Sequence, residues 1–368
     1  MVFDILKEVK EKEERIYKFL DQNGYDGMII GRQDNFSWIT GGGNSRVIWS
    51  TELGFSYLFI TKEKKFCISQ VMDGPRIMDE VLSPLGYDYI PLRWYEQSKE
   101  EKLEELIKGK KVISDFPLKG SEYNLHAIYN LHYPLTISEI EKYKILGKEV
   151  DEILTSTALE IEPGMTEMEV EGMLMGKFGQ KGIIPDVILI GADERPVKYR
   201  HPVPTERKID HYVFISPSIK KWGLHANISR LISFGKPSLE ITHKYEAACT
   251  IEAHVLSMCK EGTYFKDILE AEKKLYKELG YEEEWRNHFQ GGITGYMVAN
   301  ASLCLDQSAK LQNYQSYEWF ITIAGTKSAE LALNINNQIE LMSLAGYWKT
   351  KSYTANNHTY ELPIIMER

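Results

Sequence analysis

Among the side chains able to act as acid, base, nucleophile or metal ligand, the histidines weigh most. An imidazole near its ordinary pKa serves as general acid or base at neutral pH. His225 precedes Asn227 by two residues, so on a strand both side chains point to one face. The cysteines Cys67, Cys249, Cys259 and Cys304 form no Cys-x-x-Cys pair, and their spacing suits neither a zinc site nor a disulfide framework. Cys249 and Cys259 fall in an apolar helical pattern, as small buried hydrophobes do. Gly41-Gly42-Gly43 follows a strand-like run, but no Gly-Lys-Ser/Thr comes after it, so it is no phosphate loop. Ser216-Pro217-Ser218 lacks the Gly-x-Ser-x-Gly elbow of serine hydrolases. The run Glu282-Glu283-Glu284 reads as a solvated helix end or loop.

The elements that must position these residues fall into two halves. Apolar positions at Ile5, Leu6, Val9, Ile16, Phe19 and Leu20 predict an amphipathic helix closed by Asn23-Gly24. The runs Gly27–Gly31, Phe36–Thr40, Gly54–Ile60 and Lys65–Ser69 read as strands. A helix at Glu100–Ile107 and a strand at Lys111–Asp115 complete an α/β unit. Pro134 marks a boundary, because Thr136 and Glu139 make a capping box for a helix reaching Leu159. Thr166 and Glu169 repeat that device for a helix to about Phe178. Val187–Ile190 and Val213–Ile215 are strand-like, Leu239–Met258 and Phe265–Leu279 helical, and the tail from Trp319 alternates strand and turn. The expected domains are residues 1–134 and 135–368, the second on a duplicated α+β plan.

Lys+Arg 44 against Asp+Glu 53 leaves a formal charge of −9, which argues against a nucleic-acid partner. No run approaches the ~20 apolar residues of a membrane span, and the charged N-terminus has no apolar signal core. A cytoplasmic setting with no membrane partner is the expectation.

Asn35–Gly42, Thr136–Lys142, Glu162–Glu167, Ile190–Ala192, Arg200–Pro202 and Gly223–Arg230 resemble, in order, motifs of the pita-bread family of creatinase, aminopeptidase P, prolidase and methionine aminopeptidase. Glu162-Pro163-Gly164-Met165-Thr166-Glu167 is similar to its "kPGmtE" turn, and Thr136–Lys142 to its entry helix. Ile190-Gly191-Ala192, Arg200-His201-Pro202 and Gly223–Arg230 resemble its "sG…pH" and "G-y-x-x-D-i-T-R" segments. Asn35–Gly42 resembles the "n-i-x-Y-L-T-G" strand of the creatinase-type N-terminal domain. The resemblance implies an α/β creatinase-type N-terminal domain, an α+β pita-bread C-terminal domain and a homodimer in which the partner's N-terminal domain often roofs the pocket.

Peptidases of this fold hold two divalent ions with two Asp, one His and two Glu, which generate a hydroxide and polarise the scissile carbonyl. The second Asp falls on Asn227 here, and eleven residues earlier the first falls on Ser216. The "H-G-x-x-H-G-x-G" run reads His288–Gly295, keeping the leading histidine but placing Gly292 at the ligand. The "f-t-i-E-P-G" window reads Trp319–Gly325 without a carboxylate, and the last Glu falls on Ala329 or Glu330. Serine and asparagine oxygens are neutral, weak ligands, so the dinuclear site is expected to be lost, with no metal and no cofactor. His201 matches the family's "pH" histidine, the proton-transfer residue of creatinase.

The expectation is therefore a metal-independent hydrolase or lyase of a small amide or other C–N bond substrate, a small molecule or short peptide. His201 and His288 would be catalytic, and Ser216, His225, Asn227 and Tyr296 would bind the substrate. Arg200 and Arg230 would add positive potential. The rivals are a metal-dependent Xaa-Pro aminopeptidase or dipeptidase and a non-catalytic small-molecule-binding homologue.

Overall fold

The computed structural model describes residues 3–299 and 308–368; Cys304 lies outside them. The chain forms two compact units, Met1–Glu139 and Ile140–Arg368.

In the first unit, α1 (Ile5–Asn23) begins where the Asp4 carboxylate accepts from the Lys7 N–H and ends at Gly24, whose φ of 65° the left-handed cap requires. It buries Val9, Ile16 and Leu20. The strands β1 (Gly27–Arg32), β2 (Leu53–Ile60), β3 (Lys65–Gln70), β4 (Asp88–Leu92), β5 (Val112–Ser114) and β6 (Glu122–Tyr123) form one mixed sheet in the order β4-β3-β2-β1-β5-β6. Ile29, Tyr57, Phe59, Ile68, Val112 and Phe116 pack on it with Leu103 of α4 (Lys99–Leu106). Two short helices, α3 (Gly74–Ile77) and α5 (Leu125–Tyr129), complete the unit.

One element differs from the sequence expectation. Phe36–Thr40 is not a strand; it belongs to α2 (Gln33–Ile39) and its C-cap. Asn35, Phe36, Trp38 and Ile39 are all buried, and so short a buried run fits the helix period as well as the strand period. Thr40 Oγ1 bonds back to the Phe36 carbonyl at 2.6 Å, and Gly41 and Gly42 then take positive φ to leave the helix.

In the second unit, α6 (Ile137–Glu160, its first turn lying in the first unit) starts at the expected capping box. Thr136 N–H donates to Glu139 Oε2 at 2.7 Å and Glu139 N–H to Thr136 Oγ1 at 3.2 Å. The same device opens α7 (Glu167–Gln180) at Thr166 and Glu169. The strands β7 (Ile184–Ala192), β8 (Tyr212–Lys221), β9 (Leu224–Asn227) and β10 (Arg230–Ser233) follow, with the short α8 (Arg195–Lys198) between the first two. After α9 (Leu239–Met258) and α10 (Phe265–Glu278) come β11 (Gly291–Thr294), β12 (Ser316–Trp319), β13 (Ile321–Ile323), β14 (Thr326–Ser328), β15 (Leu331–Ile335) and β16 (Gln338–Leu341). The hairpin of β17 (Thr350–Ala355) and β18 (His358–Pro363) precedes β19 (Met366–Glu367). One sheet runs β19-β10-β8-β7 with β9 folded back on β8, and another runs β11-β12-β15-β16. Two strand sets, each preceded by a helix pair, give the α+β plan expected. Among the described residues, no helix is long and apolar enough to cross a membrane.

Candidate functional site

The second unit gathers chemistry around a buried lysine. Ser216 lies mid-strand in β8, paired with Leu189 of β7, while Asn227 ends β9 opposite Ser218. Lys327 is the middle residue of β14, whose hairpin with β13 turns at Gly325 (φ 94°). Its Nζ donates to Ser216 Oγ at 3.0 Å and to Asn227 Oδ1 at 2.8 Å, and stands 4.5 Å from the centre of the Phe320 ring. Phe320 packs with Ala299 and Ala329 to make the apolar wall beside this ammonium. Burial pushes the Lys327 pKa down to about 8, against the opposing pull of Glu318 and Glu252.

His201 and His288 face each other at the edge of this cluster. Their Nε2 atoms are 3.1 Å apart and their rings nearly perpendicular, with His201 exposed and His288 half-buried. His288 Nδ1 bonds the Phe289 carbonyl, which can only accept, so Nδ1 carries the proton. Burial and the Lys327 charge push His288 down to about 4, so at neutral pH its Nε2 bears a lone pair. His201 must then supply the shared proton from its own Nε2, which leaves Nδ1 of a neutral His201 as the free base. Burial and Lys327 depress His201 as well. Phe320 joins the two groups: its ring centre is 5.8 Å from that of His288 and close to Lys327.

His225 faces a different pair of acceptors. Its Nε2 is 2.7 Å from Asp186 Oδ2 and its Nδ1 3.3 Å from the Gly295 carbonyl, so neither ring nitrogen is spare. Burial of Asp186 works towards protonation, but the His225 ring and Lys220 outweigh it and hold the carboxyl below its usual range. Tyr296 is buried directly after Gly295. Across β11 and β12, Gly292 pairs with Glu318. Glu318 is buried, and its Oε1 accepts from the Ala299 N–H at 2.6 Å. Burial raises its pKa, while that amide, His225 and Lys327 pull the other way.

Residues 141–316 match metallopeptidase family M24. The chain is similar to the Xaa-Pro dipeptidase of Pyrococcus furiosus, 21% identical over 77% of this chain and 82% of that protein. Among solved structures it is similar to a dipeptidase from Mycobacterium ulcerans, with TM-score 0.77, 14% identity and all of both chains covered. A Xaa-Pro dipeptidase from Bacillus anthracis gives TM-score 0.73 and 16% identity over 98% of this chain and 100% of that one. The chain thus carries a stretch matching metallopeptidase family M24 and has the pita-bread fold of these solved dipeptidases. The α/β first unit and α+β second unit are its two-domain architecture.

Each position matched to a pita-bread ligand has a distinct occupant. Ser216 and Asn227 present neutral oxygens to the Lys327 ammonium. At Gly292 (φ 144°) a Cβ would lie 2.4 Å from Phe265 Cζ, so the Phe265 ring, tilted against Trp319 at 5.3 Å, fills the place of a side chain. The window Trp319–Gly325 has no carboxylate, as read from the sequence, but buried Glu318 stands one residue before it. Ala329 offers no donor. Glu330 is turned to Arg230 and to Ser343 Oγ at 2.5 Å. Arg230, also bound to the Ser229 and Ser343 carbonyls, is held in the buried ion pair rather than lending charge to the cluster. Arg200 is likewise ion-paired with Glu284.

The structure thus joins Ser216 with Asn227 and His201 with His288, and sets His225 apart with Asp186. Lys327, Glu318 and Asp186 were missed in the sequence. The available signal for Lys327 was a charged residue between the apolar strands Ile321–Ile323 and Leu331–Leu333, where a solvated lysine is out of place.

Proposed function

We propose that the chain is a metal-independent hydrolase of a small amide or other C–N bond substrate. The observation that carries this reading is Lys327. Its ammonium stands between Ser216 Oγ and Asn227 Oδ1, the two oxygens at the matched positions of the paired aspartates. The residues do not fit two divalent ions. Such ions would meet a cation where they need carboxylates, and Phe265 where a histidine would reach in.

In this reading the cluster of Lys327, Ser216 and Asn227 marks the place where the substrate carbonyl is bound. His201 takes or gives the proton at Nδ1, and His288 accepts the hydrogen bond that fixes the His201 ring. Tyr296 keeps its proposed substrate role, whereas His225, with both ring nitrogens engaged by Asp186 and the Gly295 carbonyl, does not. The names of the relatives, Xaa-Pro dipeptidase and dipeptidase, support a short peptide as the first substrate to try. The family resemblance supports a homodimer, and exposed Trp49, Trp94 and Tyr95 on the first unit suit association.

The test is turnover of dipeptides, Xaa-Pro peptides and small amides, with and without a chelator, alongside metal analysis of the purified protein. Turnover that survives chelation without stoichiometric metal and disappears in His201→Ala is expected. Stoichiometric manganese or zinc with Xaa-Pro cleavage lost on chelation overturns the reading, and binding without turnover of any compound reassigns the chain as a binding homologue.

A further inference from the structure

The histidine chemistry leaves a hydroxyl and an amine unused at the centre of the cluster. Ser216 Oγ is fixed by its place in β8, a strand paired on both sides by β7 and β10. Lys327 Nζ is fixed 3.0 Å away, with Asn227 Oδ1 taking a second N–H and the Phe320 ring covering one side. A hydroxyl, a base within hydrogen-bond reach and a third group orienting the base are the parts of an activated nucleophile. Serine with lysine is one of the pairings that perform this chemistry.

We propose that Ser216 is a covalent nucleophile and Lys327 its general base, so that hydrolysis passes through an acyl ester on Ser216. The proposal rests on the hydrolase reading above. Ser216 Oγ attacks the substrate carbonyl carbon and its proton passes to the neutral Nζ. As the tetrahedral adduct collapses, the C–N bond breaks and the departing nitrogen takes a proton from the Lys327 ammonium. Water then attacks the ester carbonyl and gives its proton to Nζ. The C–Oγ bond breaks, and Oγ recovers that proton. The sum is amide plus water giving acid plus amine, with no change of oxidation state.

Two further features support these roles. Burial favours the neutral amine, and with a pKa of about 8 roughly a tenth of Lys327 is uncharged at pH 7. Both partners of the amine are neutral oxygens, so no ion pair pins the proton in place. The charged groups that Lys327 senses are Glu318 of β12 and Glu252 of α9, and it in turn depresses His201 and His288.

A purely structural lysine would leave Ser216 inert, and a fluorophosphonate probe separates the two cases. The full-length protein is incubated with the probe, and the adduct is measured by intact mass and located by peptide mapping. One adduct on Ser216 is expected, absent in Ser216→Ala and about 100-fold slower to form in Lys327→Met, the scale on which a positioned base acts. Thermal melting checks that both variants fold. Ser216→Cys gives an independent arm: its thiol should react with iodoacetamide at least 10-fold faster than in the Ser216→Cys, Lys327→Met double variant. No adduct on Ser216, or an adduct rate unchanged in Lys327→Met, overturns the dyad. Chelator-resistant turnover without a Ser216 adduct overturns the dyad alone, whereas chelator-sensitive turnover overturns the hydrolase reading beneath it.

Discussion

Lys327 Nζ donates to Asn227 Oδ1 at 2.8 Å, and its hydrogen-bond acceptors are two neutral oxygens rather than a carboxylate. A buried ammonium so held costs stability, and the cost depends on pH. The unfolded chain keeps the lysine proton up to its ordinary pKa of 10.5, while the folded chain releases it near 8. Below pH 8 both states are charged and the full penalty of about 3 kcal/mol applies, at about 1.4 kcal/mol for each of roughly 2.5 pH units. Between pH 8 and 10.5 the unfolded state binds more protons, so stability rises with pH. Lys327→Met removes this slope. Urea unfolding at pH 7.5 and 10.5 should show the wild type gaining up to about 3 kcal/mol relative to the variant. Parallel pH dependences would refute the assignment of a buried, depressed lysine.

Asn227→Asp tests the same contact from the other side. A carboxylate in hydrogen-bond reach raises a lysine pKa by about 1–3 units. The neutral amine then becomes scarcer at pH 7, and probe labelling of Ser216 slows by about 10-fold to 1000-fold. The rate should recover as pH is raised. A variant labelled at the wild-type rate at pH 7 would show that Lys327 does not act as a base.

Gly292→His restores a family ligand type at a position that has no room for it. The new Cβ meets the Phe265 ring at 2.4 Å, and the backbone φ of 144° suits glycine. Overpacking and strain together should cost about 2–4 kcal/mol and bring no gain in manganese affinity. Adding Phe265→Ala should return part of the loss in a double-mutant cycle. Thermal melts with calorimetric metal titration measure both effects, and a stable, manganese-binding Gly292→His protein would contradict the packing described.

How much of this was legible in the sequence depended on distance along the chain. The capping boxes at Thr136–Glu139 and Thr166–Glu169 and the amphipathic face of α1 are local, and they read correctly. The short helix α2 was misread because its buried residues, Asn35, Phe36, Trp38 and Ile39, fit the strand and the helix period alike. Counting along the motifs found neutral residues at Ser216, Asn227 and Gly292 but not what balances them. Lys327 meets Ser216 and Asn227 across 111 and 100 residues, and Phe265 reaches Gly292 of β11 from the start of α10. Glu318 escaped because it lies one residue outside the motif window, where only the β11–β12 register brings it opposite Gly292.

Arg230 and Glu330 form a fully buried ion pair, completed by the Ser343 carbonyl and hydroxyl. Glu330→Ala removes the nearer partner and leaves Arg230 facing buried Asp151 at 3.4 Å, so it should destabilise the protein by about 1–3 kcal/mol. Because Glu330 faces away from Lys327, metal content and Ser216 labelling per folded molecule should not change. Chemical denaturation gives the first quantity, and labelling at a temperature where the variant is folded gives the second. A loss of labelling greater than the unfolded fraction would move Glu330 into the cluster.

The proton order between His201 and His288 is fixed by one carbonyl. Phe289 O accepts from His288 Nδ1, so His288 Nε2 accepts from His201. Burial and the Lys327 charge keep His288 neutral down to about pH 4. Its folded pKa lies below the unfolded value, so the associated stability is present above about pH 6.5 and is lost as pH falls towards 4. Nitrogen-15 NMR of histidine-labelled protein should show His288 in the Nδ1–H tautomer at pH 7, titrating near 4, and His201 in the Nε2–H tautomer. Lys327→Met should move both titrations upward, because the charge that depresses them is gone. An Nε2–H tautomer for His288, or titrations that ignore Lys327, would break the link between the histidine pair and the lysine.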